Sequence, residues 1–217
     1  MEDFEYPKLG LATAEDLLVF SVSGLAQKNN VHRKRLYLIG IRADQVRQNT
    51  CGVSWWPEPF GAVIPLSQLI TPLPRFQWKA GPDDNELHAT NVLGAYTKVA
   101  KSGVNMFKTP VVIDMGASKG FSTHRVGECP TITKTRASGF GYWCSTKGGP
   151  LDVAELAMLQ GFNPNVFNPT NLGVSPSALA GMLGNAQTFT VVKAVAAHVL
   201  FMSKQITFEE FTSVTGT

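Results

Sequence analysis

Paired cysteines, a membrane-length apolar run and a basic leader are all missing from this 217-residue chain. Cys51, Cys129 and Cys144 lie far apart and form no Cys-x-x-Cys pair, so neither a disulfide framework nor a zinc site is suggested and a reducing, intracellular compartment fits best, the nucleus in a eukaryote and otherwise the cytoplasm. No metal ligands are expected. The longest apolar run, Val191 to Met202, is interrupted by Lys193 and His198, too short to cross a bilayer, so no membrane association is expected. Glu2, Asp3 and Glu5 give the N-terminus the wrong charge for a signal or transit peptide. Charge of either sign is sparse, at 16% of residues, and the net charge is only +3. That excess is compatible with a polyanionic partner but does not by itself point to one. With 44% hydrophobic residues the chain can bury a core as one or two globular units.

The N-terminal part reads as a short α/β unit. Residues Ala14 to Val22 suit a short helix or a strand entry, Gly24 to Asn30 a polar turn, and Leu36 to Ile41 a buried strand. Arg33 and Arg35, just before that strand, point the same way if the alternation extends to them. From Thr50 to Cys129 Gly, Pro and Trp are frequent and the texture is loop-rich; only Glu86 to Lys101 has helical spacing, with Leu87, Val92, Ala95, Tyr96 and Val99 near one face and Gly103 as the stop. Nearer the C-terminus, Asp152 and Glu155 fit a reciprocal capping box with Leu151 and Leu156 as its hydrophobic staple, and Gly161 closes that helix. Ser175-Pro176 opens a second helix containing Ala178, Ala180 and Gly181. After a break at Gly184-Asn185, a third helix is expected to bury Val191, Val192, Val195, Val199 and Leu200.

Three stretches occur in an order that resembles the cytosine-5 methyltransferases. The first is Val31-His32-Arg33-Lys34-Arg35 with its following strand, similar to that family's Gln-x-Arg-x-Arg motif. The second runs from Leu151-Asp152-Val153-Ala154-Glu155 to Gln160-Gly161-Phe162, and the third is Gly184-Asn185-Ala186. The resemblance implies an α/β fold, the C-terminal part of a Rossmann-like methyltransferase dependent on S-adenosylmethionine, with a loop-rich target-recognition domain. It implies residues 1–49 as the end of the catalytic domain, 50–145 as the target-recognition region, 146–205 as closing helices returning to the catalytic domain, and 206–217 as a tail. In this family a cysteine thiolate adds to C6 of a cytosine flipped from double-stranded DNA, and C5 then takes the methyl group. Arg35 would hold the flipped base and Arg33 would contact phosphate or brace the site; Gly184, Asn185 and Ala186 would close one side of the cofactor pocket. Thr131, Thr133, Lys134 and Arg136 would face DNA, where hydroxyls and cations suit phosphate and base contacts.

Several departures bear on what the chain does. No Pro-Cys pair occurs, Cys129-Pro130 having the reverse order, and no Glu-Asn-Val, so the family's nucleophile and acid are both missing. Val31 stands where a glutamine is expected, Gly149 where an arginine is expected, and Met182 and Gln187 replace a glutamine and a valine. The expectation is therefore a gene fragment, a truncated product or one half of a two-chain enzyme, inactive alone and completed by an N-terminal methyltransferase half. The alternatives are a non-catalytic DNA-binding or regulatory module on the same scaffold, and a cytosine-5 RNA methyltransferase fragment. Val111 to Gly120 resembles the first strand and glycine turn of a Rossmann cofactor site. Yet no helical period follows it and Glu128 is the only acid before Asp152, so it is read as a strand and turn inside the recognition region.

Overall fold

In a computed structural model, the described backbone covers residues 17–23, 36–42, 46–47, 49, 64–74, 77, 79, 82 and 85–215, with side chains described from Ile41 onward. Elements in chain order are β1 (Leu17–Ser23), β2 (Leu36–Arg42), α1 (Leu66–Leu69), α2 (Glu86–Lys101), β3 (Val111–Asp114), β4 (His124–Val126) and α3 (Lys134–Ser138). They continue with β5 (Tyr142–Cys144), β6 (Gly149–Pro150), α4 (Val153–Leu159), α5 (Pro169–Leu172), α6 (Pro176–Asn185), α7 (Phe189–Met202) and α8 (Phe208–Thr215). The chain divides into two compact units, one of residues 1–28, 34–62 and 190–217, the other of 29–33 and 63–189. This division departs from the expected boundaries: residues 146–189 stay with the region before them, and only the chain from Thr190 onward joins the N-terminal strands.

The second unit is built in three layers around an antiparallel sheet of order β4-β3-β5-β6. Because strand side chains alternate, β3 and β5 serve two cores at once. Val111, Ile113, Met115 and Trp143 pack with Val92, Ala95 and Val99 of α2 on one face. On the other, Val112, Tyr142 and Cys144 join Leu156, Ala157 and Leu159 of α4, Leu179, Ala180 and Leu183 of α6, and Leu66 of α1. The bounds of α2 match the sequence reading, with the Asn85 side chain accepting from the His88 amide and Gly103 at φ +77° after the end. Leu87 does not join its buried face, and Asn91 does. The Asn91 carboxamide is held by the Met115 and Ala117 carbonyls just beyond the end of β3. The strand from Val111 leads into a hairpin with β4 and no helix follows, as read from the sequence. Every described strand pair is antiparallel; the parallel sheet of a Rossmann-like architecture is not among the described residues.

In the first unit, β1 and β2 form a hairpin with Leu17 opposite Arg42 and Ser23 opposite Leu36. This resolves the open reading of residues 14–22 in favour of a strand over Leu17–Ser23. Ile41 and Val46 share a core with Val191, Ala197, Phe201 and Met202 of α7 and Phe211 of α8. The α7 face is rotated from the expected one: Ala194, His198, Phe201 and Met202 are buried, while Val192 and Leu200 are exposed. A helix apolar almost all round leaves the choice of face to tertiary packing. Residues 206–217, expected to be a tail, contain α8, whose start carries a capping box: the Thr207 amide donates to Glu210 Oε2 and the Glu210 amide to Thr207 Oγ1. No helix among the described residues is long and apolar enough to cross a membrane.

The two-sided sheet makes β3 the most demanding strand in the second unit. Ile113→Ala, at a fully buried position, is expected to cost about 2–5 kcal/mol. Leu93→Ala, on the solvent face of α2 and 55% exposed, should stay within about 0.5 kcal/mol. Urea unfolding of the two variants, compared with the parent chain, measures both.

Candidate functional site

Two of the stretches singled out in the sequence, fifty residues apart, meet where α3 packs against α6. The contact surface of α6 is made of small residues at helical spacing, Ser177, Gly181 and Gly184, so the backbones approach closely. Ser177 Oγ donates to the Ser138 carbonyl at 2.7 Å. A Cβ on Gly181 would lie 3.4 Å from Ser138 Cβ, and one on Gly184 only 2.5 Å from the carbonyl carbon and oxygen of Thr133 and 2.6 Å from the Lys134 nitrogen. No side chain fits there.

The α3 end of this contact is pinned from the sheet side. The Thr133 amide donates to Tyr142 Oη at 2.9 Å, and that hydroxyl donates to the Thr131 carbonyl at 2.8 Å. Burial pushes the Tyr142 phenol up to about 12, which keeps the donor proton in place. Of the residues expected to face DNA, Thr133 and Lys134 are exposed and Thr131 is half-buried. Arg136 is partly committed elsewhere: its Nε lies 3.2 Å from Asp114 Oδ1, a charge contact without the alignment of a hydrogen bond, and its aliphatic stem covers Gly116. Burial raises the Asp114 carboxyl, and the guanidinium opposes that shift.

At this C-terminal end of α6 the helix runs through Asn185, so the expected break lies later, at Ala186 to Thr188. Asn185 is exposed and Ala186 half-buried. The space beside Gly184 is filled by the Thr133–Lys134 peptide, so its lack of a side chain serves close packing. Of the three expected cofactor-lining residues, Asn185 and Ala186 keep accessible surface. A clasp that the sequence reading did not weigh fixes this junction: the fully buried Gln160 side chain donates from Nε2 to the Leu183 carbonyl at 2.9 Å and accepts at Oε1 from Thr188 Oγ1 at 3.1 Å. Its carbonyl accepts from the Phe189 amide at 2.7 Å. The Gln-Gly-Phe motif thus holds the end of α6. A glutamine directly before a helix-ending glycine, followed by an aromatic, was the available signal.

The capping box of α4 is present as read: Asp152 Oδ1 accepts from the Glu155 amide, and Glu155 Oε2 from the Asp152 amide, both at 2.9 Å. Leu151 and Leu156 are buried in one core, in keeping with the expected staple. The sequence reading missed its third member, Lys147, whose Nζ reaches Glu155 Oε2 at 2.6 Å and Asp152 Oδ2 at 3.0 Å. Glu155 Oε1 also accepts from the Thr71 amide at 3.0 Å. Burial pushes Glu155 up against the opposing Lys147 contact, leaving it raised. Burial acts in the same upward sense on Asp152, but bonds from the Glu155 amide and Lys147 outweigh it and hold this carboxyl low. For Lys147, burial lowers and the two carboxylates raise, with a net rise.

Cys129 and Cys144 are fully buried and burial pushes both thiols up, so neither is a thiolate nucleophile. Arg33, Arg35 and Cys51 lie outside the described residues. No group of three or more His, Cys, Asp or Glu is placed to hold a metal among the described residues. No family model, curated protein or solved structure matches the chain.

Gly184→Ala should destabilise by about 1–3 kcal/mol through overpacking, although alanine is the better helix former. Gly94→Ala, in the interior of α2 with open space around its Cβ, should stabilise by about 0.5–1 kcal/mol. Opposite signs in thermal unfolding are the expected result; equal effects would mean that α6 and α3 are not in backbone contact.

Lys147→Met should cost about 3–5 kcal/mol at neutral pH by leaving a buried carboxylate without its cation. In that variant the folded state binds a proton at Glu155 more readily than the unfolded state, so stability should recover as pH falls toward the ordinary glutamate range. In the parent chain the contribution of Lys147 is complete below the ordinary lysine range and lost as pH rises through its raised value. That of Asp152 is present above the ordinary aspartate range and lost as pH falls through its depressed value. Urea unfolding across pH checks all three signs.

Proposed function

We propose that the chain is the C-terminal part or subunit of a DNA (cytosine-5) methyltransferase, carrying the target-recognition region and the closing helices, and inactive without a complementing N-terminal half. The observation that carries this reading is the meeting of the Thr131–Arg136 stretch with Gly184, at the end of α6 that Gln160 of the Gln-Gly-Phe motif holds through the Leu183 carbonyl. A recognition element braced directly on a closing helix supports a division of labour in which one face meets DNA and the other returns to the catalytic domain. The inaccessibility of Cys129 and Cys144 supports the second half of the proposal, that the nucleophile comes from a partner.

In this reading Lys134, exposed at the α3 surface, takes a phosphate contact, with Thr133 beside it. Arg136, oriented by Asp114, presents its remaining guanidinium donors to a base edge or phosphate. Arg35 stabilises charge on the flipped cytosine and Arg33 braces the site. S-adenosylmethionine supplies the methyl group when bound, and Asn185 and Ala186 contribute only a margin of its pocket. A second reading, a non-catalytic DNA-binding module on the same scaffold, is favoured by the missing Pro-Cys nucleophile.

Duplex DNA binding by the 217-residue chain should weaken steeply with salt, and Lys134→Ala should lower the slope of log affinity against log salt by about one unit. The purified chain alone should transfer no methyl group, and co-expression with an N-terminal half bearing Pro-Cys should restore transfer. DNA binding without restored transfer selects the binding module. No DNA affinity by a folded chain defeats both readings.

A further inference from the structure

We infer that Phe121, at the apex of the β3–β4 loop, stacks on a base of bound DNA while Lys119 takes an adjoining phosphate. The inference rests on the reading of this unit as a DNA-recognition domain and adds a contact that the sequence motifs do not contain. Phe121 is 77% exposed, more than any other large hydrophobic side chain described. Such a ring on a floppy segment would be unremarked, but this loop is tied down at several points. The Asn91 carboxamide, buried under α2, donates to the Met115 and Ala117 carbonyls at 2.9 and 2.8 Å. Ser122 Oγ donates to the Asp114 carbonyl at 2.9 Å, the Asp114 amide to the Thr123 carbonyl at 2.8 Å, and the Gly116 amide to the Gly141 carbonyl at 3.1 Å. The apex itself is a turn closed by the Phe121 amide on the Ser118 carbonyl, with Gly120 at φ +83°. A stiff loop therefore holds a bare phenyl ring in water, and little further ordering entropy is lost when a partner covers it.

Charge and size select the partner. Between residues 114 and 136 there are four cations, Lys119, Arg125, Lys134 and Arg136, against two acids, Glu128 and the Asp114 that pairs with Arg136, a balance of +2. Arg136 rests on Gly116 at the foot of the same loop, which joins the ring to the α3 surface already proposed for DNA. The ring's neighbours in sequence, Ser118, Lys119, Gly120, Ser122 and Thr123, are polar or small. One ring in such surroundings makes too small an apolar patch for a protein interface, but it is the unit that base stacking uses. Stacking within a duplex needs an opened step or an unpaired base, so a duplex with one unpaired base should bind better than a fully paired one.

The test is an anisotropy titration of the 217-residue chain with a labelled duplex containing one unpaired base, and with its fully paired counterpart, at low salt. Phe121→Ala should weaken binding to the first by roughly ten- to a hundredfold, as loss of one stacked base does, with the salt slope unchanged. Phe121→Trp should bind like the parent. Phe107→Ala is the control, since Phe107 is 70% exposed but precedes β3, at the opposite end of that strand, and its loss should leave affinity unchanged. Unaltered affinity in Phe121→Ala, or an equal drop in Phe107→Ala, overturns the stacking contact while leaving the DNA-recognition reading intact. No DNA binding by the folded parent chain removes both. A self-association seen by sedimentation and abolished by Phe121→Ala would make the ring a contact between copies and also overturn the proposal.

Discussion

Between Gly184 and the Thr133–Lys134 peptide there is no room for even a methyl group. A helix of five residues, α3, is too short to be stable alone, since nucleation outweighs the few hydrogen bonds it gains. It exists because α6 offers a face of small residues along which it can lie, and because Tyr142 satisfies the polar groups leading into it. The surface that carries Lys134 and Arg136 is thus an extension of the core: the Tyr142 ring is buried in the same cluster as Leu179 and Leu183.

Two polar clasps complete that arrangement, and both lie on α4. At its start, Lys147 neutralises two carboxylates that the capping box brings together. At its end, the Gln160 carboxamide meets a carbonyl of α6 and a hydroxyl beyond it. A buried amide or ammonium without partners would cost several kcal/mol. Each clasp therefore fixes geometry by making displacement expensive, and together they set where α6 ends relative to the sheet.

What the sequence disclosed was local. The Asp152–Glu155 box, the Ser175-Pro176 opening and the Glu86–Lys101 helix depend on contacts three or four residues apart, and all were readable. The Thr207–Glu210 box obeys the same rule, within residues whose place at the chain end alone suggests a tail. Hidden features were those decided by distant partners. Gly184 reads as a turn residue along the chain, yet it is helical and its missing side chain is explained by a peptide fifty residues earlier. Strand β5, with three buried residues, is too short for periodicity to declare itself. The buried face of α7 could not be chosen from composition because valines, alanines and phenylalanines surround the whole helix. Of the candidate site, Thr133 and Lys134 were singled out for DNA and Gly184 separately for the cofactor pocket, and their mutual contact follows only from the fold.

The position of Lys147 carries a consequence for how this sequence can change over time. Its ammonium comes from the turn between β5 and β6, while the carboxylates sit on the first turn of α4. A long flexible side chain on a turn reaches the same point in space from more than one backbone position, whereas the acids are locked in register by the capping box. Substitution can therefore move the cation along the turn without uncovering the acids. The carboxylates fix where the charge must arrive, and leave open which turn residue carries it.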